Sequence, residues 1–166
     1  MLYFELVGYV NETTPIMPPH DVTKTGLKEI KAQYGDTIHY TYGCPQGTCR
    51  LYVYKIAMVN PDGVAVELSW PEMVRRCGEL GLAHVPLLAG PSIVAALRSE
   101  GILREMVDAY TNGPSTLNLA QIREGVVVRV ESTQGITHIK HKSFEFGVLE
   151  GYLAEDDTFV DTEDVA

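Results

Sequence analysis

The residues with the clearest chemical potential lie late in the chain, in Glu124-Gly-Val-Val-Val-Arg129 and in Lys140-His-Lys142, which begins eleven positions after that arginine. Side chains alternate along a strand, so Lys140 and Lys142 share one face, and Ile139 and His141 the other. Two ammonium groups presented together repel unless an anion sits between them, and phosphate is the most economical such anion. Gly125, beside Glu124, lets another group come close to the backbone. Each stretch alone also has a plain reading. Lysines at i and i+2 are commonly a solvated sheet face, and Glu-Gly before valines is a common edge-to-core strand. The two together, in this order, carry the signal.

A second carboxylate stands at the opposite end of the sequence. Leu2 to Val10 alternates and is rich in aromatic and β-branched residues, which predicts a strand. Glu5 lies inside it between Phe4 and Leu6, and a carboxylate in an apolar strand needs an exposed face, a partner or a metal. In Leu51-Tyr-Val-Tyr54-Lys-Ile56, Tyr52 and Tyr54 share a strand face. Such aromatics are ordinarily core, and less often a platform on which a base stacks.

The elements that must position these groups can be read in order. Asn11 to Gly35 carries Pro15, Pro18, Pro19 and Gly26 and reads as an irregular excursion, with a short helix from Thr25 to Gln33. Thr37 to Tyr42 reads as a strand, Gly43 to Cys49 as a tight turn and Arg50 to Val59 as a second strand, together a hairpin. Asn60-Pro-Asp-Gly63 is a turn before a short strand, Val64 to Leu68. Ser69 and Pro71 open a helix that Gly81 closes. Val85 to Leu88 is another extended piece, Pro91 to Tyr110 a helix breakable at Gly101, and Thr111 to Ser115 a loop. Hairpins flanking a helix pair predict an α+β fold of antiparallel sheets with packed helices.

Composition sets outer limits. At 166 residues, 45% hydrophobic, with 15 glycines and 9 prolines, the chain is a single globular domain by size. It has no apolar run of about 18 residues to span a membrane and no signal-peptide pattern, so a cytoplasmic location is expected. Net charge is −9, which argues against a free-standing nucleic-acid binder. Six acids (Glu155, Asp156, Asp157, Asp161, Glu163, Asp164) crowd the last twelve residues, and without them −9 becomes −3. A body at 1–153 and a disordered acidic tail at 154–166 are therefore expected. Cys44, Cys49 and Cys77 read as reduced thiols. A zinc site would need more ligands than the Cys44–Cys49 spacing offers.

The ordered motifs resemble the covalent nucleotidyltransferases, specifically the ATP-dependent RNA ligase family. Tyr3-Phe-Glu5-Leu-Val-Gly8 is similar to its motif III and Leu51 to Ile56 to motif IIIa. Glu124 to Arg129 is similar to motif IV and Lys140-His-Lys-Ser-Phe144 to motif V. The resemblance spans nearly the whole chain and implies ATP and Mg2+ as cofactors and RNA ends as substrate. It implies that Lys140 and Lys142 hold the α-phosphate and neutralise charge as pyrophosphate leaves. Glu124 would take the metal or its water, and Glu5 would assist through ribose, metal or hydration-shell contacts. Tyr54 would stack on adenine, with Tyr52 as the alternative. Arg129 is either a phosphate contact or a structural ion pair, the latter preferred, and His138 and His141 read as sheet-surface residues.

The family's first step needs a lysine in Lys-x-Asp/His-Gly, and none of Lys24, Lys28, Lys31, Lys55, Lys140 or Lys142 stands in that context. The chain also begins about where motif III begins. The expectation is thus a fragment or split-enzyme part of an RNA ligase, inactive alone, with the lysine-bearing portion supplied elsewhere and homodimerisation possible. Two alternatives belong to other classes: a catalytically inactive nucleotide or RNA 5′-phosphate binding module, and a structural or interaction domain. The interval from Glu5 to Tyr54 exceeds that of compact family members, which places an insertion near the cleft.

Overall fold

A computed structural model describes residues 1–90 and 100–151. The fold is α+β. A three-stranded antiparallel sheet in the order β1–β4–β5 is built from Leu2–Gly8, Cys49–Val59 and Ala65–Glu67. A separate antiparallel hairpin joins β6 (Gly125–Ser132) to β7 (Gly135–Lys142). The excursion contributes a small third sheet, β2 (His20–Asp21) with β3 (Thr37–Ile38), and the helix α1 (Lys28–Tyr34). Helix α2 spans Trp70–Leu80, α3 Glu100–Thr111 and α4 Phe144–Leu149.

Two clusters hold these parts. Val53 and Ile56 of β4 pack on Met73 and Cys77 of α2, which fixes one face of the larger sheet. Val22 of the excursion and Ile38 and Tyr40 just after it pack on Ile122 and Phe146, so the excursion and the stretch that follows it are fastened to the region around β6 and α4. The buried Gln121 reinforces this: its Oε1 accepts a hydrogen bond of 3.0 Å from the Tyr42 amide.

The expected hairpin between Thr37–Tyr42 and Arg50–Val59 does not form. β3 pairs with β2, and β4 runs antiparallel to both β1 and β5. Ile38 and Tyr40 are each 1% exposed in the cluster with Phe146, so burying them takes this segment away from β4. Tyr42 (φ 53°) and Gly43 (φ 74°) then turn the chain back. The excursion helix starts three residues later than expected, at Lys28, and closes at Gly35. Val85 to Leu88 adds no strand of its own. Instead the 83–85 stretch brackets Val53, which donates to Ala83 O and accepts from Val85 N, both at 2.9 Å. Residues 91–99 of the expected Pro91–Tyr110 helix, and the acidic tail at 154–166, lie outside the described residues.

α2 begins and ends as its sequence predicts, with one substitution of partner. Pro71 sits in its first turn and Gly81 closes it in the left-handed region. Ser69 gives no side-chain cap. Glu131 of β6 accepts from the Trp70 amide at 2.6 Å, so a carboxylate from the hairpin caps the helix. This contact and its neighbours join the hairpin to the larger sheet.

Candidate functional site

Glu124 directly precedes β6, and Lys142 ends β7, where it pairs with Gly125. Gly125 has φ +155°, and a Cβ there would sit 2.2 Å from the His141 carbonyl oxygen and 2.7 Å from Lys142 Cα. What approaches the glycine so closely is the lysine strand itself. Ser143 locks this junction: its amide donates to Glu124 O at 2.8 Å and its hydroxyl to Arg123 O at 3.0 Å. The same hydroxyl accepts from Phe146 N at 3.2 Å and so caps α4. α4 then returns the chain, and Glu150 Oε2 comes to 4.0 Å from Lys142 Nζ.

The electrostatics of this corner are uneven. Burial pushes the Glu124 carboxyl up to about 7, helped by the nearby charges of Glu150 and Glu5 and opposed by Lys142. Glu5, exposed on β1, thus lies within electrostatic reach of Glu124 although it belongs to the other sheet. Burial, with the charges of Glu124 and Glu150 behind it, drives the Tyr40 hydroxyl above its ordinary value. Burial lowers the pKa of His20, an effect that Glu150 partly offsets. The Tyr40 hydroxyl and His20 Nδ1 are buried without a hydrogen-bond partner.

Glu124 lies within electrostatic reach of Glu5, Glu150 and Lys142, so carboxyls and an ammonium share this corner. Among the described residues, no three His, Cys, Asp or Glu side chains close into a ready-made metal cage.

The remaining sequence candidates are placed as follows. Lys140 is exposed opposite Val127, on the face it shares with Lys142 and roughly 7 Å further along the strand. Tyr52 lies directly across from Glu5 and is 8% exposed. The β1–β4 register slips between Tyr3 and Phe4, leaving Tyr54 as the extra residue of a β-bulge. The bulge turns Tyr54 and Lys55 together toward Tyr3: the Tyr3 and Tyr54 ring centroids are 6.3 Å apart, and Lys55 Nζ lies 4.8 Å from the Tyr3 ring. Tyr54 is 37% exposed, the more accessible of the two candidate aromatics. Beside it, Tyr3, Lys55 and Glu67 face Gln134 and Ile136 across a cleft of about 400 Å³ between the two sheets.

Arg129 is a structural residue. It pairs with Glu67 and with Glu131, the latter at 2.7 Å, and donates to Leu68 O. His138 Nε2 lies 3.2 Å from Glu67, and His141 Nε2 lies 3.3 Å from Asp108. Cys77 belongs to the α2 core, Cys44 is buried and Cys49 exposed.

The structure therefore brings Glu5, Glu124 and Lys142 into one corner, with Lys140 further out on the same strand face and Tyr54 on the sheet that carries Glu5. Sequence reasoning missed Glu150, Tyr40 and His20. The Ser143 cap was a usable signal for α4, and hence for Glu150. Tyr40 and His20 enter through the excursion, whose docking leaves no local pattern.

The RNA ligase family matches residues 2–144, and the chain belongs to that family. No curated protein and no solved structure gives a significant match. No helix among the described residues is long and apolar enough to cross a membrane.

Proposed function

We propose that this chain supplies the ATP-phosphate and metal-binding half of an RNA end-joining reaction that runs through adenylylated intermediates. The observation that carries this reading is Lys142, paired with Gly125 at the end of the β6–β7 hairpin, beside Glu124, whose raised carboxyl also registers the charge of Glu5 on the other sheet. Lys142 and Lys140 hold the α-phosphate and offset its charge as pyrophosphate leaves. Glu124 and Glu5 are the groups that would hold magnesium or its water. Loss of the Glu124 proton makes that site anionic, which favours the cation. Magnesium, when bound, supplies the positive charge that stabilises phosphoryl transfer. Tyr54 offers an accessible face for the adenine, and stacking of this kind contributes about 1–3 kcal/mol.

None of the chain's lysines stands in Lys-x-Asp/His-Gly, so on this reading another segment supplies the nucleophile. That same observation favours a second reading, a nucleotide or RNA 5′-phosphate binding module without catalysis. One experiment separates them: α-labelled ATP with magnesium, given to the chain alone and then with a ligase fragment carrying the nucleophilic lysine. Label on the added fragment, lost with Lys142→Ala or Lys140→Ala, is expected for the end-joining reading. ATP binding without label transfer would leave the binding module. Absence of ATP binding would overturn the end-joining reading and the nucleotide form of the second. The reaction is expected in the cytoplasm, with RNA ends as substrate.

A further inference from the structure

Glu150 is a carboxylate that neither the motifs nor the proposed reaction uses, yet several groups of the corner face it. Its Oε2 lies 4.0 Å from Lys142 Nζ, at side-chain exposures of 22% and 37%. Its charge is also felt by Glu124, Tyr40 and His20. Its placement is built in, because Ser143 ties the Glu124 end of β6 to the start of α4, and Glu150 stands at the other end of that helix.

Two neighbours of Glu150 are unsatisfied in this arrangement. The Tyr40 hydroxyl, on a residue 1% exposed, has no hydrogen-bond partner, and neither does His20 Nδ1. The His20 and Tyr40 rings pack at 5.1 Å and Tyr40 meets Phe146 of α4 edge-on at 5.5 Å, so both polar groups are fixed on the excursion beside α4. A buried donor left without an acceptor costs free energy. Glu150 stands one turn beyond Phe146, its amide donating to Phe146 O at 3.0 Å, so the helix end that meets the Tyr40 ring also carries an acceptor, the carboxylate that now faces Lys142.

We propose that Glu150 is an internal competitor of the nucleotide phosphate at Lys142, and that Tyr40 receives its carboxylate when phosphate displaces it. The proposal rests on the nucleotide-binding reading above and adds an affinity-determining pair to it. In the resting state the carboxylate occupies the anion position beside Lys142. When phosphate arrives, the side chain rotates toward the Tyr40 hydroxyl, which then donates to it. The excursion thereby becomes part of the binding equilibrium.

The two residues must act with opposite signs. Glu150→Gln removes the competing charge and should tighten ATP binding about fivefold, the upper range for one exposed ion pair. Tyr40→Phe keeps the packed ring, removes the receiving hydroxyl and should weaken ATP binding by a similar factor. In a Glu150→Gln background the Tyr40→Phe effect should disappear. Calorimetric titration with ATP and magnesium reads all four proteins, with circular dichroism and thermal melting as the check on folding. Where Glu150→Gln does not fold, Glu150→Asp withdraws the carboxylate by one methylene and should act in the same direction. Unchanged or weaker ATP binding by a folded Glu150 variant would overturn the proposal while leaving the nucleotide reading intact. Wild-type-like affinity in Tyr40→Phe would overturn the receiving role. Absence of ATP binding by both wild type and Glu150→Gln would overturn the nucleotide reading and this proposal with it.

Discussion

The two ends of β6 carry charge in opposite ways. At the far end, Glu67 and Glu131 are matched by Arg129 and Lys55, and the Glu131 carboxylate also caps α2. Its hydrogen bond from Arg129 and the cap on the Trp70 amide outweigh partial burial and hold Glu131 below its ordinary value. At the near end, burial and then the charges of Glu150 and Glu5 raise the Glu124 carboxyl to about 7. The same chemical groups thus form a matched joint at one end of β6 and a crowded corner at the other. Matched charge is structure. Charge left crowded is stabilised by what it binds, and perturbed carboxyls of that kind gather at functional sites.

Breaking the geometry that both ends share should have the largest effect. Gly125→Ala drives a Cβ into the His141 carbonyl and should cost about 3 kcal/mol or more, read by denaturant unfolding. The matched end comes next. Arg129→Ala removes a side chain 12% exposed, leaving Glu131 without its guanidinium and Glu67 with Lys55 as its cation, and should cost about 2–4 kcal/mol in the same assay. A loss well below 1 kcal/mol would mean that the joint is ornamental.

At the crowded end the sign reverses. The Glu124 carboxyl is raised from an ordinary 4.5 to about 7, so the folded protein holds that proton more tightly than the unfolded chain does. The resulting stability is present below the ordinary value and is lost as pH rises through about 7. Glu124→Gln, neutral at every pH, should therefore stabilise the unliganded protein at pH 8 by about 1–3 kcal/mol, with little difference at pH 4. It should also abolish magnesium-dependent ATP binding. Destabilisation at pH 8 would place Glu124 with the structural charges. The smallest effect belongs to the helix surface: Arg75 pairs with Glu72 and Glu79 at 51% side-chain exposure, and Arg75→Ala should leave the melting temperature unchanged within error.

Much of this was legible in the order of residues. Leu2–Gly8, Cys49–Val59, Ala65–Glu67, α2 and both strands of the late hairpin follow from alternation, turn residues and helix punctuation. Lys140 and Lys142 do share a face, and Gly125 does mark a close approach. The errors fall where tertiary burial overrode local pattern. Thr37 to Tyr42 alternates like half of a hairpin, yet Ile38 and Tyr40 are drawn into a cluster with Phe146 from the other end of the chain. The Tyr54 bulge, which needs the β1 register, and the Glu131 cap on α2, which needs the two sheets to meet, were equally invisible.

The sequence by itself determined which residues could do the chemistry, because a motif is a matter of residue type and spacing along one strand. It placed Glu124 beside a glycine and set two lysines on one face, and those features follow from backbone geometry alone. Only the tertiary structure decided that Glu5 reaches Glu124, that Arg129 is committed to Glu67, and that Glu150 and Tyr40 join the corner. Charge and burial depend on distances between segments far apart in the chain, and those distances exist only once the sheets have packed.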